Sequence, residues 1–573
     1  MSRAAAAAVL LTASCYVASL LWLPDGGHWI VDNGNKLIQV EALLASGHRD
    51  YSIPWPGQIY DPDFEQNPLP NFFSVVHEGR LYSIFSPAFP ALAAVWQAGL
   101  GPAGRALLPL AAGVALLLGL LYLARAAGLR QETGPTAVLV AGLCTPVWFY
   151  SLVFWEHIVA ACLAVWAVAG WLGFLETRRT RGLVLSGLAC AGAVWFRDQL
   201  LLLAAVMGLL VLAEARDTRW RAALHFGAGL AAGLAPLALF QWLTLGDPIG
   251  FHLAHGFQTG PAGSLAERFA VHVGDRLGVL HQLFFAWAGD HGFSMLLSLP
   301  LFLLLLLRPA LPSGVFGASV IVVSLWALAG AMVSGIGMAQ AESPIDWLLR
   351  SNGFWSAAPL LALGLTRCRD LEDDSPQWRG RRRLGQLVAV YSVLYVLLSP
   401  FRNVAGIHWG NRYLLELYPL LSVLCAANLV DAWRLLPRPQ LAPLALLVAA
   451  SFALQLQALE LLARKRSFTQ RLALAVRERP EEVVISDVWW LPQTLASEFF
   501  TRKIFYVEND EQFQRLTQKL SNGGERSFLF VTSARDRSIE PGASVVDDEG
   551  LEFFSQQLVP RRVTGGGRAG RPR

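Results

Sequence analysis

The sequence has little charge for its length. Only 15% of its 573 residues are Asp, Glu, Lys or Arg, whereas 54% are hydrophobic. A soluble domain usually carries about a quarter charged residues. The apolar residues are also collected into runs of roughly the 17–25 residues that a helix needs to cross a bilayer. This composition excludes an ordinary soluble enzyme and predicts a polytopic membrane protein.

Cysteine is scarce, and none of it lies in the long polar segments. Of the six cysteines, all except Cys368 lie inside apolar runs, and Cys368 lies in an Arg-rich loop. Secreted domains that depend on disulfides place their cysteines in polar, loop-rich sequence instead. We therefore expect neither a disulfide nor a cysteine-based metal site.

Several other signatures are missing. The chain has no internal repeat, no glycine-rich phosphate loop and no nucleic-acid-binding signature. Its histidines at 252, 255, 272, 281 and 291 lack metal-ligand spacing, and surface histidines are the default interpretation.

The apolar runs predict an all-α membrane domain. The first run follows Arg3 and is long enough for a retained transmembrane helix rather than a cleaved signal peptide. Taken in order, the runs give about thirteen spans, at 4–23, 107–124, 136–154, 157–175, 182–196, 199–213, 223–244, 292–307, 314–336, 354–366, 386–400, 413–430 and 441–459.

The basic residues predict the orientation of these spans. With Arg3 in the cytoplasm, alternate short loops are rich in arginine, as the positive-inside rule requires. The outer side then receives the C-terminal segment and the loops 24–106, 245–291, 337–353 and 401–412. A bacterial inner membrane is the expected location.

The segment after the last span has a different character. Residues 1–459 form the predicted membrane domain, and 460–564 read as a small extracytoplasmic α/β domain. Short buried strands at 482–486, 503–507 and 527–531 alternate with helical stretches near 491–500 and 509–520. Residues 565–573 are rich in Gly and Arg and are expected to be disordered.

Asp32 is the first candidate for chemistry. It follows the first span and opens an amphipathic stretch that ends at Gly47. Two interpretations stay open: Asp is a preferred helix N-cap, and a carboxylate at the membrane surface suits a general base.

Two further polar turns interrupt apolar hairpins. Glu156 and His157 lie midway along the apolar hairpin 136–175, and Arg197 and Asp198 lie midway along a shorter one. Ionisable residues at such positions are costly and usually face a cavity or a partner. An interfacial turn for Glu156, and a purely structural pairing of Arg197 and Asp198 with other groups, remain alternatives.

Two other segments carry isolated basic residues. Arg80 and Tyr82 lead into a Pro/aromatic segment that reads as an interfacial helix. Arg412 opens a span at its outer end, where the helix dipole favours anions. Binding of a phosphate or carboxylate would explain Arg412, although interfacial snorkelling is the commoner cause.

In this order, the features resemble the GT-C superfamily of polytopic glycosyltransferases. Within it, the chain is most similar to the protein-mannosyltransferase and lipid A aminoarabinose-transferase branch. The matching elements are the acidic start of the first loop at Asp32, the segment Tyr82–Pro90, the hairpin from Thr145-Pro146 to Glu156, the turn Arg197–Asp198, the motif Gly410-x-Arg412-Tyr413 and the outer C-terminal domain.

The resemblance implies a function. Asp32 would be the catalytic carboxylate and Glu156 a second acidic residue of the site. The donor would be a polyprenyl-phosphate sugar, and an acceptor hydroxyl on a lipid, glycan or protein would attack in a single inverting displacement. The candidate substrate-binding residues are Lys36, Arg80, Tyr82, His157, Arg197, Asp198 and Arg412.

The sequence departs from that family in two places. The first loop reads Asp32-Asn33 instead of the frequent Asp-Glu, and it has no clear Lys-Pro-Pro. No cofactor is demanded; a divalent metal, if one is needed, would have Asp32, Glu156 and His157 as candidate ligands. The main alternative function is a transporter or flippase of a lipid-linked saccharide, which would prefer paired repeats and helices broken at the bilayer midplane.

Overall fold

The protein is described here by a computed structural model. The described residues are 2–70, 72–214, 218–250, 276, 278–285, 291–340, 347–348, 353–370, 376–398, 406–533, 544–547, 551–553 and 556–564. Three histidines of the second long loop, at 252, 255 and 272, and the tail predicted to be disordered lie outside these residues.

The described chain is mostly helical. In chain order, the helices are α1 Arg3–Trp22, α2 Val31–Ala45, α3 Ala88–Leu100, α4 Ala103–Ala126, α5 Thr133–Leu143, α6 Val147–Tyr150, α7 His157–Thr177, α8 Arg181–Phe196, α9 Leu201–Glu214, α10 Arg219–Leu245, α11 His291–Leu307, α12 Ser313–Gln340, α13 Phe354–Ala357, α14 Pro376–Leu398, α15 Leu417–Leu435, α16 Ala442–Arg477, α17 Leu491–Thr494 and α18 Asp510–Asn522.

The strands are short. They are β1 Ser74–His77, β2 Arg80–Ser83, β3 Ala310–Leu311, β4 Arg367–Cys368, β5 Val483–Ser486, β6 Lys503–Tyr506, β7 Ser527–Thr532, β8 Ser544–Asp547, β9 Leu551–Phe553 and β10 Gln556–Thr564. Short 3₁₀ helices also occur, including Asp198–Leu200 and Arg412–Leu414.

The chain is an integral membrane protein. Within the described residues, 6 helices are long and apolar enough to cross a membrane: Arg3–Trp22, Ala103–Ala126, His157–Thr177, Arg219–Leu245, Ser313–Met338 and Arg438–Arg477. The count of about thirteen spans stays a prediction.

One predicted span is interrupted. The apolar run 136–154 forms α5 and then the single turn α6, with a break before Pro146. Proline has no amide hydrogen and clashes with the preceding turn of a helix. Thr145 Oγ1 donates to the Ala141 carbonyl at 2.6 Å. The break redirects the chain toward Glu156, which lies directly before α7.

The described chain divides into two compact units. The first, called here the membrane unit, comprises Met1–Trp22 and Pro102–Glu460. The second comprises Leu23–Gly101 and Leu461–Arg573 and is called the outer unit, after the side of the membrane that the sequence predicts for it. The outer unit therefore contains the first loop as well as the C-terminal segment, two stretches that are far apart in sequence.

Small residues allow the helices of the membrane unit to approach closely. A Cβ on Gly187 of α8 would lie 2.2 Å from the Phe226 carbonyl oxygen of α10. A Cβ on Gly229 of α10 would lie 2.2 Å from the Val184 carbonyl oxygen. Glycine at such contacts is typical of helix packing inside membranes, where van der Waals contact replaces the hydrophobic effect.

The outer unit is built on a sheet whose path is β6-β5-β7-β10-β8. Strand β5 pairs in parallel with β6 and β7, while β10 pairs antiparallel with β7. The three strands predicted at 482–486, 503–507 and 527–531 are present as β5, β6 and β7. Helix α18 confirms the second predicted helical stretch, whereas only α17 forms in the first.

The first loop packs on this sheet. Trp55 Nε1 donates to the Ile504 carbonyl at 2.9 Å, and the Tyr506 amide donates to the Gln66 carbonyl at 3.2 Å. Tyr60 Oη donates to Glu525 at 2.9 Å. These bonds explain why the loop and the C-terminal segment form one unit.

Candidate active site

The predicted site residues fall into two groups. Glu156, His157, Arg197, Asp198 and Arg412 belong to the membrane unit, whereas Asp32, Lys36, Arg80 and Tyr82 belong to the outer unit. Each group is described within its own unit.

Glu156 is held at a buried helix start. It is 4% exposed and lies directly before α7. Its carboxylate lies 3.4 Å from Arg197 Nη1 and 3.6 Å from His157 Nδ1. The structure therefore brings together three residues of the two polar turns, as a buried charged cluster rather than a solvent-facing interfacial turn.

Arg197 reaches Glu156 because its backbone is extended. Helix α8 ends at Phe196, and Arg197 has φ −143° and ψ 100°. Its Nη2 donates to Gln199 Oε1 at 2.6 Å, and Gln199 Nε2 donates to the Tyr413 carbonyl at 3.0 Å. Gln199 thus links this turn to the segment that opens the predicted span at 413.

Arg412 is also buried, and it is surrounded by aromatic rings. Its guanidinium carbon lies 5.0 Å from the centre of the Trp155 ring and 4.9 Å from that of Tyr413. The guanidinium carbon of Arg197 lies 5.3 Å from the same Tyr413 ring. Two arginines therefore converge on one tyrosine, an arrangement that cation–π attraction stabilises. A snorkelling arginine would extend toward solvent instead.

Asp198 bonds the backbone next to it. Its Oδ1 accepts from the Gln199 amide at 2.8 Å, at the start of the 3₁₀ helix Asp198–Leu200. Arg197 makes an ion pair with Glu156 at 3.4 Å.

Sequence reasoning missed Glu416. This residue is 3% exposed, and its Oε1 accepts from Tyr391 Oη at 2.5 Å. It follows Arg412 by four residues. An acidic residue inside an apolar run is itself an indication of a functional site. The hydropathy of the run 413–430 predicts only a plain span, which leaves Glu416 out of the predicted site.

In the outer unit, Asp32 lies on α2 and opens a polar stripe. Asp32, Asn35, Lys36 and Gln39 are spaced i, i+3, i+4 and i+7, so they share one face of the helix. All of them are at least nine-tenths buried. The helix cap is made by Asn33, whose Oδ1 accepts from the Ile30 amide at 3.2 Å. Asp32 itself lies inside the helix, so it is not the N-cap residue.

Lys36 and Tyr82 are buried, and each lies against an aromatic ring of the first loop. Lys36 Nζ lies 4.0 Å from the centre of the Phe85 ring. Tyr82 stacks on Tyr51 with ring centroids 6.5 Å apart, and the Tyr51 carbonyl accepts from Gln39 Nε2 at 2.7 Å. The stripe on α2 therefore has aromatic neighbours from the rest of the first loop.

Arg80 is in a different environment. Its side chain is 55% exposed and pairs with Asp50 at 2.9 Å. Partial burial acts to raise the pKa of Asp50, but hydrogen bonds from Ser52 and the Arg80 guanidinium outweigh it and hold that pKa below its usual value. Of the predicted phosphate ligands, Arg80 is the exposed one, whereas Arg197 and Arg412 lie in the buried cluster.

The sequence offers Asp32, Glu156 and His157 as candidate metal ligands. Among the residues that the structure describes, no group of at least 3 His, Cys, Asp or Glu side chains could hold a metal ion. Asp32 belongs to the outer unit, whereas Glu156 and His157 belong to the membrane unit. A metal held by these residues stays a prediction.

Comparison with solved structures identifies the fold. ArnT from Cupriavidus metallidurans bound to undecaprenyl phosphate matches with a TM-score of 0.52 and 12% identity, over 96% of this chain and 97% of that chain. ArnT is a membrane glycosyltransferase of the GT-C superfamily.

The chain has the GT-C fold.

The archaeal oligosaccharyltransferase AglB from Archaeoglobus fulgidus, in complex with an inhibitory peptide and a dolichol-phosphate, also matches. Its TM-score is 0.49 and its identity 14%, over 92% of this chain and 69% of that chain. No protein-family model and no curated protein matches the sequence. The GT-C fold expected from the sequence is confirmed by the match to ArnT, whereas the number of spans, the domain bounds and the site residues stay predictions.

Proposed function

We propose that this GT-C protein transfers a sugar from a polyprenyl-phosphate donor to an acceptor hydroxyl at the outer face of the membrane. The observation that carries the proposal is the buried cluster in which Arg197 and Arg412 converge on Tyr413, with Glu156 beside Arg197. A phosphate joined to a membrane-embedded lipid is the anion that such a cluster, in a protein of this fold, is suited to bind.

The arginines supply the electrostatic part of the chemistry. Breaking the bond between the anomeric carbon and the phosphate oxygen leaves negative charge on the departing phosphate. Guanidinium groups match phosphate geometry with several parallel donors. Fixed positive charges where negative charge develops lower the barrier, because they need no reorganisation during the reaction.

Glu156 and Gln199 have positioning roles in this proposal. The contacts from Arg197 to Glu156 and to Gln199 fix the direction of its guanidinium. Preorganisation of this kind is what separates a catalytic cation from a mobile surface one.

Asp32 is assigned the role of general base. Its carboxylate would take the proton of the acceptor hydroxyl while that oxygen attacks the anomeric carbon and the polyprenyl phosphate leaves. A single displacement of this type inverts the anomeric configuration. The match to ArnT, which was solved with undecaprenyl phosphate, supports the lipid-linked class of donor.

The test is donor cleavage. Purified protein in lipid is given a panel of radiolabelled polyprenyl-phosphate sugars, and release of free polyprenyl phosphate is measured. We expect cleavage of at least one donor. Hydrolysis by water should be slow, and transfer to an added acceptor should be faster. In sealed proteoliposomes, movement of the label across the bilayer with the sugar–phosphate bond intact would instead support a flippase and contradict the proposal.

A further inference from the structure

The polar stripe on α2 contains side chains whose hydrogen-bonding capacity is not used within the described protein. Asn35 is 0% exposed, and neither its Oδ1 nor its Nδ2 has a hydrogen-bond partner among the described residues. Gln39 is also 0% exposed, and its Oε1 has no partner there either. Buried polar atoms are satisfied in about nine cases of ten, so several on one helix face call for an explanation.

The position of Asn35 relates it to Asp32. The two residues are three apart on α2, which places their Cβ atoms roughly 5–6 Å from each other. Gln39 follows one turn later on the same face. The unbonded amide of Asn35 therefore lies one turn from the carboxylate to which the proposed function assigns the proton transfer, and the unbonded oxygen of Gln39 lies one turn further along the helix.

The other side of α2 is fixed by close packing. Around the axis of α2, the Cα of Gly34 lies roughly 160° from that of Asp32. A Cβ on Gly34 would lie 1.9 Å from the Gln493 carbonyl oxygen, so only glycine permits this approach. Helix α2 cannot rotate without losing this contact, and the stripe is held in one direction.

The chemistry of the unused atoms indicates their ligand. Gln39 Nε2 is already engaged with the Tyr51 carbonyl, so Gln39 offers an acceptor. Asn35 offers one acceptor and an NH₂ donor. A phosphate group at neutral pH presents acceptors, so it could satisfy only the Asn35 NH₂. Sugar hydroxyls both donate and accept, so they can satisfy all of these atoms.

We infer that Asn35, assisted by Gln39, binds hydroxyl groups of the glycosyl substrate beside Asp32. This inference rests on the proposed function and deepens it by assigning hydroxyl recognition to α2. The hydroxyls can belong to the sugar of the donor or to the acceptor, and the experiment separates the two.

The experiment compares Asn35→Leu with Asn33→Leu, the same substitution two positions away on α2. Asn33 uses its side chain to bond the Ile30 amide, so Asn33→Leu should lower the Tm. Replacing a buried amide that has no protein partner by an apolar group removes an unsatisfied group, so Asn35→Leu should keep or raise the Tm. Asn35→Ala covers the case in which leucine is too large.

The activity measurement has two arms in full-length protein in lipid: cleavage of radiolabelled donor in water alone, and transfer to acceptor. We expect Asn35→Leu and Asn35→Ala to lose at least about tenfold in activity, because sites built to bond a hydroxyl depend strongly on that bond. Loss in both arms places the donor sugar at Asn35, and loss of transfer alone places the acceptor there.

If the wild type is active, two results would overturn the inference. One is full activity in both arms for Asn35→Ala and Asn35→Leu. The other is a fall in Tm for both Asn35 variants as large as that of Asn33→Leu, which would mean that Asn35 has a structural role. If the wild type cleaves no donor but its Tm rises with donor in an Asn35-dependent way, the proposed function fails and this inference stands. An inactive wild type whose Tm no donor raises contradicts both.

Discussion

The two polar clusters of this protein satisfy their buried groups in different ways. In the membrane unit, charged groups pair with one another and with rings, as in the contact of Arg197 with Glu156 at 3.4 Å. In the outer unit, the stripe on α2 is partly neutral, and the amide of Asn35 is not bonded within the described protein. Under the proposed function, the membrane unit holds fixed charge for an anion, and under the further inference α2 keeps hydrogen-bonding groups for a neutral, hydroxylated ligand.

The largest stability effect is expected in the buried charge cluster. Glu156→Gln leaves the Arg197 guanidinium, 12% exposed as a side chain, without its carboxylate. Removing one partner of a buried pair typically costs about 3–5 kcal/mol. The change should therefore lower the Tm of purified protein strongly and reduce donor cleavage.

The matched control is Glu132→Gln. This residue pairs with Arg434 at 2.7 Å, but both side chains are about half exposed, at 56% and 44%. An exposed pair contributes at most about 1 kcal/mol. Equal shifts in Tm for the two variants would contradict the claim that the Glu156 cluster is a buried, preorganised network.

A smaller effect is expected where α2 packs within the outer unit. Gly34→Ala places a Cβ 1.9 Å from the Gln493 carbonyl oxygen, and overpacking of this kind typically costs about 1–3 kcal/mol. The Tm should fall, and activity should fall with it because Asp32 and Asn35 are redirected.

The control for that change is Gly99→Ala, near the end of α3. A Cβ on Gly99 would meet nothing within 4 Å, and alanine favours a helix over glycine by up to about 1 kcal/mol. The Tm should stay the same or rise. If Gly34→Ala proves as harmless as Gly99→Ala, the close packing does not fix the direction of α2.

The smallest effect concerns charges at the surface of the outer unit. Partial burial acts to raise the pKa of Glu525, but hydrogen bonds from Lys503 and Tyr60 outweigh it, so the pKa lies below the usual 4.5. A lowered carboxyl pKa stabilises the fold above the unfolded pKa, and that contribution is lost as the pH falls through the folded pKa.

Glu525→Gln should therefore lower stability by about 1 kcal/mol at neutral pH, with no deficit well below pH 4.5. Thermal unfolding of the full-length protein at the two pH values measures this. Glu508→Gln, at an exposed position, should change little at either pH. If Glu525→Gln is less stable than the wild type in acid as well, the side chain of Glu525 stabilises the fold through its packing and not through its charge, which contradicts this prediction.

The sequence was most informative about the membrane unit. Apolar runs predicted the helical segments, because a bilayer imposes length and composition on every helix. The polar turns at Glu156 and Arg197 were found because charges are rare in such surroundings. Their contact at 3.4 Å was not specified by the sequence, since it depends on how two hairpins pack.

The outer unit was only partly predictable. Strands β5 to β7 were identified from local patterns, but the packing of the first loop on that sheet joins residues more than four hundred positions apart, such as Trp55 and Ile504. No local periodicity reports such a contact. Asn35 was not predicted as a site residue for a similar reason. Asparagine is common near helix starts, and its burial depends on packing that the local sequence does not report.

Sugar transfer by wild type, Asp32→Asn and Glu41→Gln in lipid tests the assignment of the general base. Glu41 lies on the opposite face of α2 and receives the same chemical change. We predict that Asp32→Asn lowers transfer by about 10²–10⁴-fold with an unchanged Tm, while Glu41→Gln retains activity. Full activity in folded Asp32→Asn would contradict the assignment of the base to α2.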